Sequence, residues 1–153
     1  MANKLNYRIY PELKLIIEVG AGIVNVPDAI EFKKTQIEDK EYNNQFNYIV
    51  EISELELDTG FEFDFINFVN TIKTDSRFPG ERRSAILTST PKQVVYGTLY
   101  ENAINELPME YKIVSTIPSA LLWVNLHPQY AQYITAQIEE LKKQLKTLSK
   151  KNN

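Results

Sequence analysis

Apolar residues near the N-terminus recur at every second position, with Leu13, Leu15, Ile17 and Val19 on one side of an extended segment. A shorter run at 7–10 precedes them, and Pro11-Glu12 separates the two, so the pattern predicts an antiparallel hairpin. Pro27-Asp28 then opens a helix, because proline suits a first turn and a carboxylate suits the positive end of the helix dipole. That helix carries Ile30, Lys33, Lys34, Ile37 and Glu38 towards Tyr42. Over 46–53 alternation gives way to a nearly continuous run of Tyr48, Ile49, Val50 and Ile52, as expected for a strand covered on both faces. A second buried strand is predicted at 83–88 and a third, shorter one at 111–115. Pro91 starts a helix through Val94, Val95, Leu99 and Ile104 that Pro108 stops, and Pro118 starts another through Ala120, Leu121, Leu122, Trp123 and Val124.

Two segments have a helical period that points beyond a simple core. Phe61, Phe65, Phe68, Val69 and Ile72 form one stripe, favouring a helix over a strand in which Phe61, Phe63 and Phe65 alternate. Phe63 and Ile66 then fall on the opposite side, among Glu62, Asn67 and Asn70, as an outward apolar patch suited to a protein partner. After His127-Pro128, residues Ala131, Ile134, Ile138, Leu141, Leu145 and Leu148 alternate spacings of three and four, a heptad seam. Such a seam needs a partner, either a second chain or the chain's own sheet. The order ββαβαβαβα predicts an α/β fold: a mostly parallel sheet of about five strands with an antiparallel N-terminal hairpin. Residues 1–126 form this domain, and 127–153 form a long C-terminal amphipathic helix ending in a basic tail.

Composition narrows the classes. A chain of 153 residues, 43% hydrophobic and 24% charged, is long enough to bury one core without covalent staples. The absence of cysteine excludes a disulfide framework, a thiol nucleophile and a thiolate zinc site, and it fits a reducing compartment. No apolar run approaches the roughly 20 residues of a membrane span, and the N-terminus lacks a signal-like apolar region, so a cytoplasmic location is expected. The net charge of −3 argues against nucleic acid as the main ligand.

That charge is unevenly placed. No Lys or Arg occurs between Lys40 and Lys73, where Glu41, Glu51, Glu54, Glu56, Asp58, Glu62 and Asp64 give −7. Glu54, Glu56 and Asp58 share strand parity, yet the stretch lacks calcium-loop spacing, and a solvated acidic face is the simpler reading. Asp58-Thr59-Gly60 reads as a turn. Gly20-Ala21-Gly22 is half of a dinucleotide motif whose third glycine is replaced by Asn25, and it serves more simply to bend the end of its strand. His127, the only histidine, allows neither a His-based metal cluster nor more than one centre for a catalytic triad, and its place at a helix entry suits a structural role.

The hairpin, the strands Tyr48-Ile49-Val50-Glu51-Ile52-Ser53 and Arg83-Ser84-Ala85-Ile86-Leu87, the Val95-Tyr96-Gly97 helix and the closing Ser119-Ala120-Leu121-Leu122-Trp123-Val124 resemble the STAS superfamily. More narrowly, they look like its SpoIIAA-like (STAS/SEC14-type) branch of small bacterial proteins. In the superfamily's anti-sigma-factor antagonists, the loop after this strand carries Asp-Ser-Ser/Thr-Gly, with a Ser phosphorylated to switch partner binding. The matching place here is Asp58-Thr59-Gly60, one residue shorter, and the resemblance makes Thr59 a candidate phospho-acceptor. The SEC14-type likeness implies an apolar pocket between sheet and helices.

The expectation is therefore a non-enzymatic cytoplasmic interaction or regulatory module, self-associating through Ile134, Ile138, Leu141, Leu145 and Leu148. It would dock a protein partner through Glu54, Glu56, Asp58, Phe63 and Ile66, without cofactor or metal. The alternative is a carrier of a small hydrophobic, lipid-type ligand.

Overall fold

Five strands lie side by side in the order in which the chain makes them: β1 (Leu5–Tyr10), β2 (Leu15–Val24), β3 (Asn47–Leu57), β4 (Arg82–Leu87) and β5 (Met109–Val114). β1 runs antiparallel to β2 across a tight turn closed by Lys14 in the left-handed conformation, and the remaining pairs are parallel. This computed structural model describes residues 4–151, apart from the side chains of Glu62, Phe63 and Ser149. Each parallel pair is joined through a helix, α1 (Val26–Glu38), α2 (Phe61–Thr74) or α3 (Pro91–Ala103). Crossovers between parallel strands are right-handed, so a sheet that grows in one direction places all three helices on one face. Phe32, Phe68, Val69 and Ile104 accordingly bury on that side, most of them in one cluster with Val24 and Leu55.

The opposite face, built from Leu15, Ile17, Val19, Ile49, Ala85, Leu87 and Val114, is covered by α4 (Ile117–Trp123) and α5 (Ala131–Lys151). The α/β class, mixed sheet and long C-terminal helix follow the expectation. The fate of the heptad seam corrects it. Ile134, Ile138, Leu141 and Leu145 are 0–3% exposed against the chain's own sheet, so they offer no surface to a second chain. Leu148 alone of the five stays outside, 47% exposed. Polar ties fix the docking: Gln137 Oε1 accepts from Tyr10 Oη at 2.8 Å and Arg8 Nη1 at 3.0 Å, and Asn6 Nδ2 donates to Gln144 Oε1 at 3.0 Å. Residues after 126 therefore belong to the same layered core as the sheet they cover.

β3 also runs past its predicted end at Ser53 to Leu57, so Glu54 and Glu56 lie within the strand. Val19 pairs with Glu51 but Ala21 pairs with Glu54, so β3 carries one extra residue, a bulge. The extra residue inverts parity. Val50 and Ile52 before it and Leu55 and Leu57 after it all turn to the α1–α3 face, while Glu51 and Glu54 both approach Lys142 of α5. Gln93 of α3 meets the irregular backbone, donating from Nε2 to the carbonyls of Ser53 at 3.1 Å and Leu55 at 3.2 Å. The paired glycines sit opposite this bulge within β2 rather than at its end, with Gly22 at φ +80°.

Because α5 seals one sheet face, Leu141→Ala should cost about 2–5 kcal/mol in denaturant unfolding, whereas Leu148→Ala should stay within about 0.5 kcal/mol. Equal small effects would show that the helix is not part of the cooperative core.

Candidate ligand pocket

Between the sheet and α1–α3 lies a cavity of about 170 Å³. Its floor is the inverted-parity row of β3, Val50, Ile52, Leu55 and Leu57, and its roof includes Ala29 and Phe32 of α1 with Phe61, Phe65 and Phe68 of α2. Gly97 of α3 lets that helix approach β5, since a Cβ there would stand 3.0 Å from Ile113 Cδ1. The aromatic wall is interlocked. Phe61 stands 5.8 Å from Phe68, and Tyr100 packs edge-on to Tyr111 at 5.2 Å, within the usual range for such pairs.

One part of this lining is charged. Glu18 stands in the middle of β2, 7% exposed, where its Oε1 accepts from Gln36 Nε2 at 2.8 Å and forms an ion pair with Lys33. Gln36 Oε1 in turn accepts from Tyr48 Oη at 3.1 Å. Lys33 Nζ and Arg82 Cζ stand 5.0 and 5.1 Å from the Tyr48 ring, and Arg82 Cζ is 4.6 Å from the Phe78 ring. Arg82 is 5% exposed. Its Nη1 donates to the carbonyls of Phe78 at 2.6 Å and Asn44 at 2.9 Å. Its Nε and Nη2 are buried and have no hydrogen-bond partner among the described residues. Gly80 keeps this corner tight, because a Cβ there would come within 2.2 Å of the Asn44 carbonyl oxygen.

Burial governs the protonation of these groups. It pulls the Lys33 ammonium below its ordinary range, with Glu18 opposing the shift. Burial also pushes the Tyr48 and Tyr100 hydroxyls well above theirs, and raises Tyr42 and Tyr111 against the opposing charge of Arg82. All four phenols therefore stay neutral at physiological pH.

The acidic stretch is organised differently. Lys142 Nζ stands 3.6 Å from Glu51 and 3.9 Å from Glu54, so two of its carboxylates face a cation of the C-terminal helix. Glu56 is exposed on β3. Asp58 Oδ1 accepts from the Gly60 N–H at 2.6 Å, and its carbonyl accepts from Phe61 N at 2.9 Å, the bonds of a local turn. Thr59 is exposed within that turn, Ile66 is 71% exposed on α2, and the side chain of Phe63 lies outside the described residues. His127 Nδ1 accepts from Gln129 N at 3.1 Å, capping a short 3-10 turn. Among the described residues no group of three or more His, Cys, Asp or Glu is placed to hold a metal ion, and no helix is long and apolar enough to cross a membrane.

Sequence reasoning missed the polar corner of the pocket. A signal was present: Glu18 interrupts an otherwise apolar strand, and Arg82 shares parity with Ser84 and Ile86, which face the sheet's interior. The partners come from separate elements, and only the fold brings them together.

No protein-family model matches the chain, and no curated protein does. Among solved structures, an uncharacterised protein of the DUF3478 family from Shewanella loihica PV-4, described as having a SpoIIAA-like fold, superposes with a TM-score of 0.53. Identity is 17%, over 79% of this chain and 94% of that one. The chain thus has a SpoIIAA-like, STAS-like fold.

The buried phenols make stability fall at high pH. Tyr7, half-buried and donating to Asp39 Oδ2 at 2.9 Å, is pushed up to about 12 by burial and by that carboxylate. A raised folded value means the folded state holds its proton longer, so this stabilisation is complete below pH 10 and is lost as pH rises towards about 12. Tyrosinate absorbance should therefore appear late for these residues and together with loss of circular dichroism. Full ionisation near pH 10 with the fold intact would contradict the burial described.

Proposed function

We propose that this is a non-enzymatic binding protein that holds a small hydrophobic ligand between the sheet and α1–α3. The observation that carries the reading is the cavity itself, about 170 Å³ lined chiefly by aliphatic and aromatic side chains. It is close in size to the roughly 150 Å³ apolar cavity that admits benzene. A core with no occupant to receive would lose dispersion contacts around such a space. Concave, mostly apolar sites with a few polar groups are the usual form of small-molecule pockets.

Toluene titrated into the protein should shift the resonances of Ile52, Leu55 and Phe68 in a saturable manner. Ala29→Leu, which fills the roof, should weaken that binding about tenfold or more while the variant stays folded, at a packing cost of about 1–3 kcal/mol. Toluene binding that ignores the filled roof, or no binding at all, would remove the pocket from the function.

Docking of a protein partner is a second reading, favoured by the 71% exposure of Ile66 near the acidic β3–α2 turn. Large apolar side chains exposed beside polar ones are common at interfaces. Ile66→Asp should leave the melting temperature nearly unchanged and abolish co-purification of any stoichiometric partner. A partner retained equally by both proteins would rule out this surface.

A further inference from the structure

We propose that the pocket's ligand is a small hydrophobic carboxylate, its head group held side-on by Nε and Nη2 of Arg82. This rests on the pocket reading above and adds the chemical class. Arg82 is 95% buried, since its exposure is 5%, and it lines the cavity. One nitrogen, Nη1, is spent on the carbonyls of Asn44 and Phe78, which anchor the guanidinium. The other two nitrogens share one edge, and both are orphaned. Arg77 shows what that edge does: its Nε and Nη2 grip the Asp75 carboxylate at 3.0 and 2.8 Å. Buried polar groups are almost always partnered, and parallel donors of this kind match the two oxygens of a carboxylate.

Charge leads to the same class. The cavity's lining holds two basic side chains, Lys33 and Arg82, and one acidic one, Glu18. Glu18 is already bound by Lys33 and Gln36. The surrounding phenols remain protonated. With Glu18 engaged by Lys33 and Gln36, the Arg82 guanidinium is left without a carboxylate of its own in the cavity lining, an arrangement that favours an anion there. A water molecule satisfies the donors but leaves the charge. A monoanion satisfies both, and a carboxylate carries its charge on the two atoms the edge presents. The rest of the lining, Val50, Ile52, Leu55 and the α2 phenylalanines, receives an apolar body. The volume matches a short acyl chain or a single aromatic ring.

The test compares hexanoate with its neutral isostere hexanamide, and uses toluene as a probe of the cavity alone. Calorimetry near pH 7 should show hexanoate binding about tenfold or more tightly than hexanamide, as a charge-assisted bidentate contact requires. The Arg82 Nε–H resonance should move on adding hexanoate and stay in place with toluene. Arg82→Gln should bring hexanoate down to the level of hexanamide while leaving toluene binding unchanged, and Arg82→Lys, with the charge but not the edge, should recover only part of the difference. The comparison of hexanoate with hexanamide in the unmodified protein stands even if the variants fail to fold. If toluene and hexanamide bind and hexanoate gains nothing, the carboxylate assignment is wrong and the pocket reading survives. If no probe binds, both fall.

Discussion

The structure depends on a topological constraint with an energetic consequence. Strands are added to the sheet in sequence order, and right-handed crossovers then commit α1, α2 and α3 to a single face. The other face, with Leu15, Ile17 and Ile49 fully buried, has to be covered by whatever chain remains after β5. α4 is too short for the task. The helix that looks available for a second molecule is therefore required at home. Each of Ile134, Ile138, Leu141 and Leu145 contributes about 1.5–3 kcal/mol by leaving water, and together they outweigh any marginal gain from a short two-stranded coil.

This division of the sheet also separates two kinds of packing. On the α4–α5 face the buried cluster is aliphatic apart from Tyr10, with Trp123 and Tyr130 packed at its margin. On the α1–α3 face phenylalanines and tyrosines join the aliphatic side chains, a charged group is embedded, and a cavity persists. The bulge in β3 links the two. By inverting parity it continues an apolar row towards the pocket and turns Glu51 and Glu54 towards Lys142 on the outer side. The acidic stretch thus has a structural explanation in which part of its charge is balanced by the C-terminal helix.

Much of the fold was legible in the residues because the signals were local. The hairpin followed from the alternation of Leu13 to Val19, the buried strand from Tyr48 to Ile52, and the helix starts from Pro27, Pro91 and Pro118. The α2 stripe was readable for the same reason. The end of β3 was not, because a bulge breaks the period-two rule that would have carried the strand through Glu54 and Glu56. The α5 seam had the right residues and an undecided partner, since a heptad pattern specifies an apolar stripe but not what covers it. The pocket was least legible: Glu18, Lys33, Tyr48, Arg82 and Tyr111 lie on five different elements, and no spacing in the chain relates them.

The embedded charges bear on why this face differs from its opposite. Ion pairs buried in a core add little net stability, and well-packed apolar residues in their place hold such a core as well or better. Stability alone therefore gives no reason for Glu18, Lys33 and Arg82 to stand beneath three helices, and half-satisfied polar groups add a cost. The cost is confined to one corner. Gly80, Asn44 and Phe78 fix the Arg82 guanidinium by its Nη1 and leave its other edge unpaired. A group held rigidly by one edge with the other left unpaired is preorganised, and preorganisation lowers the ordering cost when a complementary group arrives. On the helix-sealed face, by contrast, Trp123 Nε1 finds the Ser84 carbonyl at 3.1 Å and Asn47 Nδ2 finds the Val124 carbonyl at 3.1 Å. One side of the sheet is thus complete within the chain, and the other keeps an unpaired donor edge beside a cavity.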